Sequence, residues 1–248
     1  MNIVVCVNHV PDTEARVRVG EDGKTIDRTN VNYILNPYDE FAIEECLRLK
    51  EKYGGEVIAL SLGGDNFKET LRKALSMGVD KAFLLKDESP RDSFAVARAL
   101  ANTIKELSPD IIFFGKQSID YDNSQVGTMV AEMLGLPAAS VIIKLEISGG
   151  TAIVQREIEG GHEVVEVKLP AVFSAQKGLN EPRYPSLKGI MAAKGKPIQE
   201  RPAPPVESRV EVLSMRNPPG KNPGRIVGTG VSAVPELVRL LHEEAKVI

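Results

Sequence analysis

IIFFGKQSIDYDNSQVGTMVAEML, residues 111–134, is the stretch on which the reading of the fold turns. Its first four residues, Ile111 to Phe114, are apolar without alternation, as in a strand buried on both faces. A polar turn follows from Gly115 to Gln125, and helical periodicity then resumes, with the helix expected to open near Asp122 to Ser124. A buried strand that runs into a polar turn and a helix is one unit of a parallel sheet, and in such sheets ligands bind beyond the carboxyl ends of the strands.

The same pattern extends outward. Branched apolar runs occur at Ile3 to Val7, Val57 to Leu62 and Ala82 to Leu85. In NPYDEFAIEECLRLKEKYGG, Asn36 suits an N-cap, Pro37 the first helical position, Asp39 and Glu40 the positive end of the dipole, and Gly54 the stop. Asp65 to Met77 ahead of Gly78, and Ser93 to Leu107 ahead of Pro109, repeat that design, while Gly20 to Lys24 suits the turn of a small hairpin. The expected fold is therefore α/β, a doubly wound and mainly parallel sheet. After Pro137 the period changes. Val141 to Ile147, Thr151 to Ile158 and His162 to Leu169, joined by Gly149-Gly150 and Gly160-Gly161, predict an appended antiparallel meander. Leu179 to Val206 holds six prolines and reads as an extended excursion or linker, and a last helix is expected near Val234 to Ala245. The organisation expected is an α/β domain over 1–178, a loop and linker over 179–206 and a C-terminal arm with its helix over 207–248.

A net charge of -3 offers no bulk attraction to nucleic acid or anionic lipid. No segment approaches the ~20 apolar residues of a membrane helix. MNIVVCVNHVPD has no basic lead and reads as a first strand rather than a signal peptide. Cys6 and Cys46 show neither CxxC nor Cys/His spacing, which suits a reducing, cytoplasmic setting.

The chemistry is expected where the turns converge: Asn8-His9 after the first strand, Gly63-Gly64-Asp65 after the second, and Gly115-Lys116-Gln117 after the fourth. A helix opening there offers free N–H groups to a phosphate, with Asn123, Ser124 and Gln125 as uncharged donors. No GxGxxG or P-loop is present, and Asp120 and Asp122 would repel phosphate unless they cap helix amides or bind ribose hydroxyls. Phosphate cradle and capped structural turn both remain open on these residues alone. His9, His162 and His242 are scattered without spaced partners, so solvated or locally bonded histidine is the better reading than a metal site or triad. Glu157 beside Arg156 reads as a solvated strand face. Leu187, amid prolines, either tucks against its own domain or offers itself to a partner's pocket.

VNHVPD, NPYDEFAIEE, GKQSIDYDNSQVG, QREIEGG and LPAVFSAQKGLNEPRYPSLKGIM, in this order, resemble the beta subunit of electron-transfer flavoprotein over at least residues 1–194. The resemblance implies a Rossmann-like, adenine-nucleotide-binding fold and a heterodimer with an alpha subunit that carries most of the FAD, packed against by the C-terminal arm. It implies AMP held as a structural element in this chain's crevice. The residues implied for that site are Cys6, then Asn36, Pro37, Tyr38 and Asp39, then Leu62. The largest share falls on one run: Gly115, Lys116, Gln117, Ser118, Ile119, Asp120, Tyr121, Asp122, Asn123, Ser124, Gln125 and Val126. Glu157 matches a glutamate near the flavin of the alpha subunit, and Leu187 the apolar anchor that docks dehydrogenases. Electrons would pass from dehydrogenases of acyl-CoA type, as in fatty acid oxidation, to a membrane quinone oxidoreductase, with no catalytic residue in this chain.

An electron-bifurcating branch binds a second FAD in place of AMP and more often reads AIDGDTAQVGP. Tyr121 in place of its glycine, Asn123-Ser124 in place of Thr-Ala, and Thr128 in place of its proline favour the AMP-binding type. Ala192 stands where some relatives carry a lysine. A nucleotide hydrolase or adenylating enzyme is the enzymatic alternative, against which stands the lack of an SGGxDS-type loop. A nucleotide-sensing module is the third.

Overall fold

The structure is a computed structural model describing residues 1–220 and 223–248, so two positions of the expected arm, 221 and 222, lie outside the described residues. The chain runs through β1 (Asn2–Cys6), β2 (His9–Pro11), β3 (Arg18–Val19), β4 (Ile26–Asp27), β5 (Tyr33–Leu35) and α1 (Pro37–Tyr53). It continues as β6 (Glu56–Gly63), α2 (Phe67–Met77), β7 (Lys81–Lys86), α3 (Ser93–Leu107), β8 (Ile111–Gly115) and α4 (Val126–Leu134). It then forms β9 (Ala138–Ser148), β10 (Thr151–Ile158), β11 (Gly161–Lys168), β12 (Ala171–Ala175), α5 (Leu187–Gly195), β13 (Ile198–Pro202) and α6 (Val234–Glu243).

Nine strands form one sheet in the order β11-β10-β9-β12-β8-β1-β6-β7-β13. From β9 to β13 every pairing is parallel, and β10 and β11 extend one edge as the antiparallel meander. The period-2 geometry of strands divides the core in two. Ile3 and Val5 of β1 join Ile43, Leu71 and Leu75 on the α1/α2 face, whereas Val4 and Cys6 join Leu100, Ile104 and Val130 on the α3/α4 face. A sheet sandwiched in this way needs apolar residues on both sides of its central strands, which accounts for the unbroken runs in the sequence. Phe113 of β8 and Phe173 of β12 meet on the α1 side, ring centroids 5.6 Å apart.

Four elements depart from expectation. β12 inserts between β9 and β8, so the meander joins the parallel sheet through a strand that the sequence reading passed over. The segment expected as an excursion contains α5, and it contains β13, which pairs parallel with β7 despite ending in Pro202. An edge strand tolerates that proline because its outer N–H positions have no ladder partner to lose. Finally α4 opens at Val126, later than the expected Asp122 to Ser124, because the chain first makes a tight loop with Asp122 and Ser124 both at φ 52°. From residue 207 onward no described residue is buried. The arm leaves the body where the Asp92 carboxylate accepts the Arg209 and Val210 N–H groups, at 2.6 and 2.9 Å.

Candidate functional site

The carboxyl ends of β1 and β8 are adjacent, and Asp39, in the first turn of α1, ties them together. Its Oδ2 accepts the Asn8 N–H at 2.7 Å, and its Oδ1 accepts the Gly115 N–H at 3.1 Å and the Asn36 side-chain amide at 2.8 Å. The dipole role expected for Asp39 is therefore only part of what it does, since its side chain is buried and turned inward. Burial pushes its carboxyl up to about 7, opposed by the three N–H donors and reinforced by the nearby Asp120 carboxylate. This approach of α1 requires glycine at 115: a Cβ there would stand 2.4 Å from Asp39 Oδ1 and 2.7 Å from the Tyr38 carbonyl carbon.

Asn36 occupies the N-cap position, but its side chain makes no cap hydrogen bond to the helix. Its amide reaches across the crevice, donating to the Gln117 carbonyl at 2.9 Å, and its Oδ1 accepts the Ile119 N–H at 3.3 Å. Asn8, collected from the first strand's turn, is a second bridge: its side-chain N–H groups donate to Ser118 Oγ at 2.7 Å and to Asp120 Oδ2 at 3.1 Å. The loop is thus fixed to two separate strand ends.

The two aspartates have partners other than those anticipated. Asp120 receives the Asn8 amide and the Tyr121 N–H, and Asp122 Oδ1 receives the Gln117 side-chain amide at 2.6 Å. Gln117 Oε1 in turn accepts the Ser124 hydroxyl at 3.3 Å, and the Asn123 amide donates to Ser93 Oγ at 3.0 Å, at the start of α3. These bonds hold Asp122 and Ser124 in left-handed backbone that costs non-glycine residues energy, as built sites commonly do. Gln125 takes the N-cap position of α4 with no side-chain hydrogen bond to the helix, so the first amides of α4 keep free donors at the loop's exit. Lys116 supplies the cation, its ammonium 4.9 Å above the Tyr38 ring. Donors, one ammonium and a helix N terminus at a sheet's carboxyl edge suit an anionic ligand.

The other expected site residues lie at the ends of neighbouring elements. Pro37 is the first residue of α1 and Val126 the first of α4. Cys6 ends β1, buried, and its thiol is pushed up by burial and by Asp39. Leu62, half-buried at the carboxyl end of β6, packs toward the α3/α4 face and contributes apolar surface. A groove of about 1000 Å³ lies beside Thr128 and Met129 of α4, between α3 and the start of the arm, away from the strand ends.

The histidines are dispersed. His9 is buried, its Nδ1 2.8 Å from Thr70 Oγ1 and its ring stacked 4.9 Å from Tyr33, and burial lowers its pKa. His162 is exposed opposite Glu157, and His242 Nδ1 lies 2.9 Å from the Ile248 carbonyl. Among the described residues no three His, Cys, Asp or Glu side chains gather as a metal ion requires.

Glu157 and Leu187 lie outside the crevice. Glu157 is exposed near the end of β10, with the Gln176 amide 3.5 Å from its Oε2. Leu187 opens α5 and is 78% exposed, beside Tyr184 at 93%. At 100° per residue Leu187, Ile190 and Met191 share one side of α5, and all three are exposed, while Gly189 and buried Ala193 lie on the side toward α2. The helix therefore turns its large apolar residues to solvent and its small ones inward, the reverse of an ordinary surface helix. Sequence reasoning missed this helix and missed Asn8 as a bridge. The signals available were Ser186 three residues ahead of Gly189, as an N-cap, and a polar residue placed directly after a buried strand.

A family model described as "Electron transfer flavoprotein domain" matches residues 23–206. The chain is 46% identical, over 90% of its length and 88% of the relative's, to an electron transfer flavoprotein subunit beta of Syntrophomonas wolfei. It is 39% identical to the same subunit of Bacillus subtilis and 42% to that of Bradyrhizobium diazoefficiens, in both cases over 100% of both chains.

Proposed function

This chain belongs to the electron transfer flavoprotein family as a beta subunit, and from that premise we propose that it holds AMP in the β1/β8 crevice and completes a heterodimer whose alpha subunit carries the FAD. As a component of an electron-transfer protein it needs no general acid or base of its own; its work is positioning and docking. The observation that carries the nucleotide reading is the Gly115 to Gln125 loop, pinned by Asn8, Asn36 and Asp39 and leading into the uncapped start of α4. A phosphate there gains about 0.3 to 1 kcal/mol from the helix dipole, with more from direct hydrogen bonds. Because the Asp120 and Asp122 carboxylates are occupied by amides, they oppose such an anion less than free carboxylates would.

Glu157, exposed on the meander, is read as facing the flavin of the alpha subunit. The arm carries α6, none of whose residues is buried, with Val234, Leu237 and Val238 open for the same partner. Leu187 is the anchor that acyl-CoA-type dehydrogenases grip, and electrons leave in the cytoplasm to a membrane quinone oxidoreductase. No helix among the described residues is long and apolar enough to cross the membrane itself. Tyr121, Asn123-Ser124 and Thr128 favour AMP over a second FAD; Asn123 in particular is committed to Ser93.

Mass spectrometry of nucleotides released from the purified heterodimer tests this directly. One AMP and one FAD per heterodimer is the expected count, and two FAD would replace the reading with electron bifurcation. Leu187→Ala is expected to leave folding and AMP content intact and to weaken dehydrogenase docking by about 2 kcal/mol, roughly thirtyfold in kcat/KM. Unchanged kinetics with the dehydrogenase would return Leu187 to a merely exposed residue.

A further inference from the structure

Helix α5 is shorter than its own sequence can sustain. It has nine residues and two internal or terminal glycines, Gly189 and Gly195, while isolated helices below roughly 12–15 residues are marginal in water. It also buries only Ala193, so core packing does little to hold it. Its order comes from α2 and from its two ends. At the amino end Ser186 Oγ accepts the Gly189 N–H at 3.0 Å. In the middle Gly189 lets the two helices touch, since a Cβ there would stand 2.4 Å from the Ser76 carbonyl oxygen. At the carboxyl end one side chain does most of the holding: Arg72 of α2 donates through Nη1 to the carbonyls of Ala193 and Lys196, the latter at 2.7 Å. Lys196 adds a bond from its ammonium to the Val79 carbonyl at 2.5 Å. The Ala193 carbonyl already accepts the Lys196 N–H at 3.2 Å, so the guanidinium adds a charged second donor there and a bond to the carbonyl just past the helix, at the negative end of its dipole.

We propose that Arg72 is the positioning residue of the docking surface: by capping α5 from α2 it fixes the angle at which Leu187, Ile190 and Met191 are offered to a redox partner. The proposal rests on the docking reading of Leu187. The side-chain bonds of Arg72 go to the end of α5 and the residue after it, so its loss acts through the helix. Without it the last turn of α5 frays, and the partner must order the helix before gripping it, which adds an entropic cost to binding and none to electron transfer once bound.

The test uses the purified heterodimer with Arg72→Ala, Arg72→Lys and Leu187→Ala, and an acyl-CoA dehydrogenase as electron donor. For Arg72→Ala, amide hydrogen exchange over residues 187–196 is expected to accelerate about tenfold or more. Exchange over 115–126 and the nucleotide content are expected to stay at wild-type levels. KM for the donor is expected to rise about fivefold with kcat within about twofold, the signature of lost binding rather than lost chemistry. Arg72→Lys, which keeps the charge but presents it as a compact ammonium in place of the planar guanidinium whose Nη1 reaches both carbonyls, is expected to fall between wild type and alanine. The proposal is overturned if exchange in α5 is unchanged, if it accelerates with KM unchanged, or if nucleotide is lost along with α5 order. Should Leu187→Ala raise KM while Arg72→Ala does not, the docking reading stands and this inference alone fails. Should Leu187→Ala have no effect on KM, both fail together.

Discussion

Replacing Asp39 with alanine is expected to lower the melting temperature of the heterodimer by about 6–12 °C and to empty the crevice of nucleotide. The substitution leaves three N–H groups without an acceptor: the Asn8 and Gly115 backbone N–H groups and one N–H of the Asn36 side-chain amide, whose other bond goes to the Gln117 carbonyl. Each stranded buried donor costs about 1–3 kcal/mol, and allowing for entry of water the sum is about 3 kcal/mol. At about 2–4 °C per kcal/mol for a chain of this size, that sets the shift quoted. Nucleotide is lost for a separate reason: without Asp39 nothing fixes the end of β1 and the end of β8 to one side chain, and the loop between them sets the ligand's donors. Asp39→Asn separates charge from shape. The native carboxyl, raised to about 7, binds its proton more tightly than the same group in the unfolded chain, near 4. Native stability from this group is therefore fully present below about pH 4 and is lost as pH rises toward 7. Relative to Asp39→Asn, the wild type should lose about 2 kcal/mol between pH 5 and pH 7. A pH-independent difference, or an alanine variant that melts with the wild type and keeps its nucleotide, would remove Asp39 from the centre of the site.

The parallel core was legible in the sequence because burial on both faces leaves a direct mark. Ile3 to Val7, Val57 to Leu62 and Ile111 to Phe114 have no polar side to show, and α1 and α2 each begin with acidic residues and stop at glycine. β12 was not legible, since AVFSA is short and follows the meander without a helix between. β13 and α5 were hidden by the prolines of 179–206, for proline marks a break in hydrogen bonding without saying whether a strand sits at an edge. The sheet's order settles that question only once β7 is in place to receive β13.

The candidate site was legible as a set of turns, and its hydrogen bonds were not. Gly115 to Gln125 could be chosen as a candidate because it lies at the carboxyl end of a buried parallel strand, where ligands of such sheets bind, although a capped structural turn suits the same residues. The sequence could not say that Asp120 and Asp122 would be taken up by Asn8 and Gln117, because those partners come from another strand end and from a loop folded back on itself. Asp39 was assigned to a dipole because its position is visible locally, while its contacts at Asn8 and Gly115 lie 31 and 76 residues away in the chain.

Arg183 fastens the segment leading into α5 to the body through Glu44 and Glu51, and Arg183→Met is expected to loosen that fastening at a cost of about 3 kcal/mol. Arg183 sends Nε and Nη2 to the two oxygens of Glu44 at 2.8 and 2.9 Å, and Nη1 to Glu51 at 2.5 Å. Asn180, one turn of chain earlier, donates to the Phe41 carbonyl and to Glu45, each at 3.0 Å, so residues 180–183 are stitched along α1. The two carboxylates differ in what they lose. Glu51 is exposed and would return to water, as in most surface pairs. Glu44 is buried, and a methionine opposite it would leave a charge with only the backbone N–H of residue 183 for company, which is the expensive way to break a pair. The single variant should therefore melt about 6–12 °C lower, and adding Glu44→Gln should recover part of that loss by removing the stranded charge. Arg183→Lys should behave closer to methionine than to wild type, because one ammonium cannot span Glu44 and Glu51 as the planar fork does. Slower electron acceptance from the dehydrogenase should accompany the single variant, since α5 follows Arg183 by four residues. If the double variant is no more stable than Arg183→Met, the cost lies in lost packing and not in the stranded Glu44 charge.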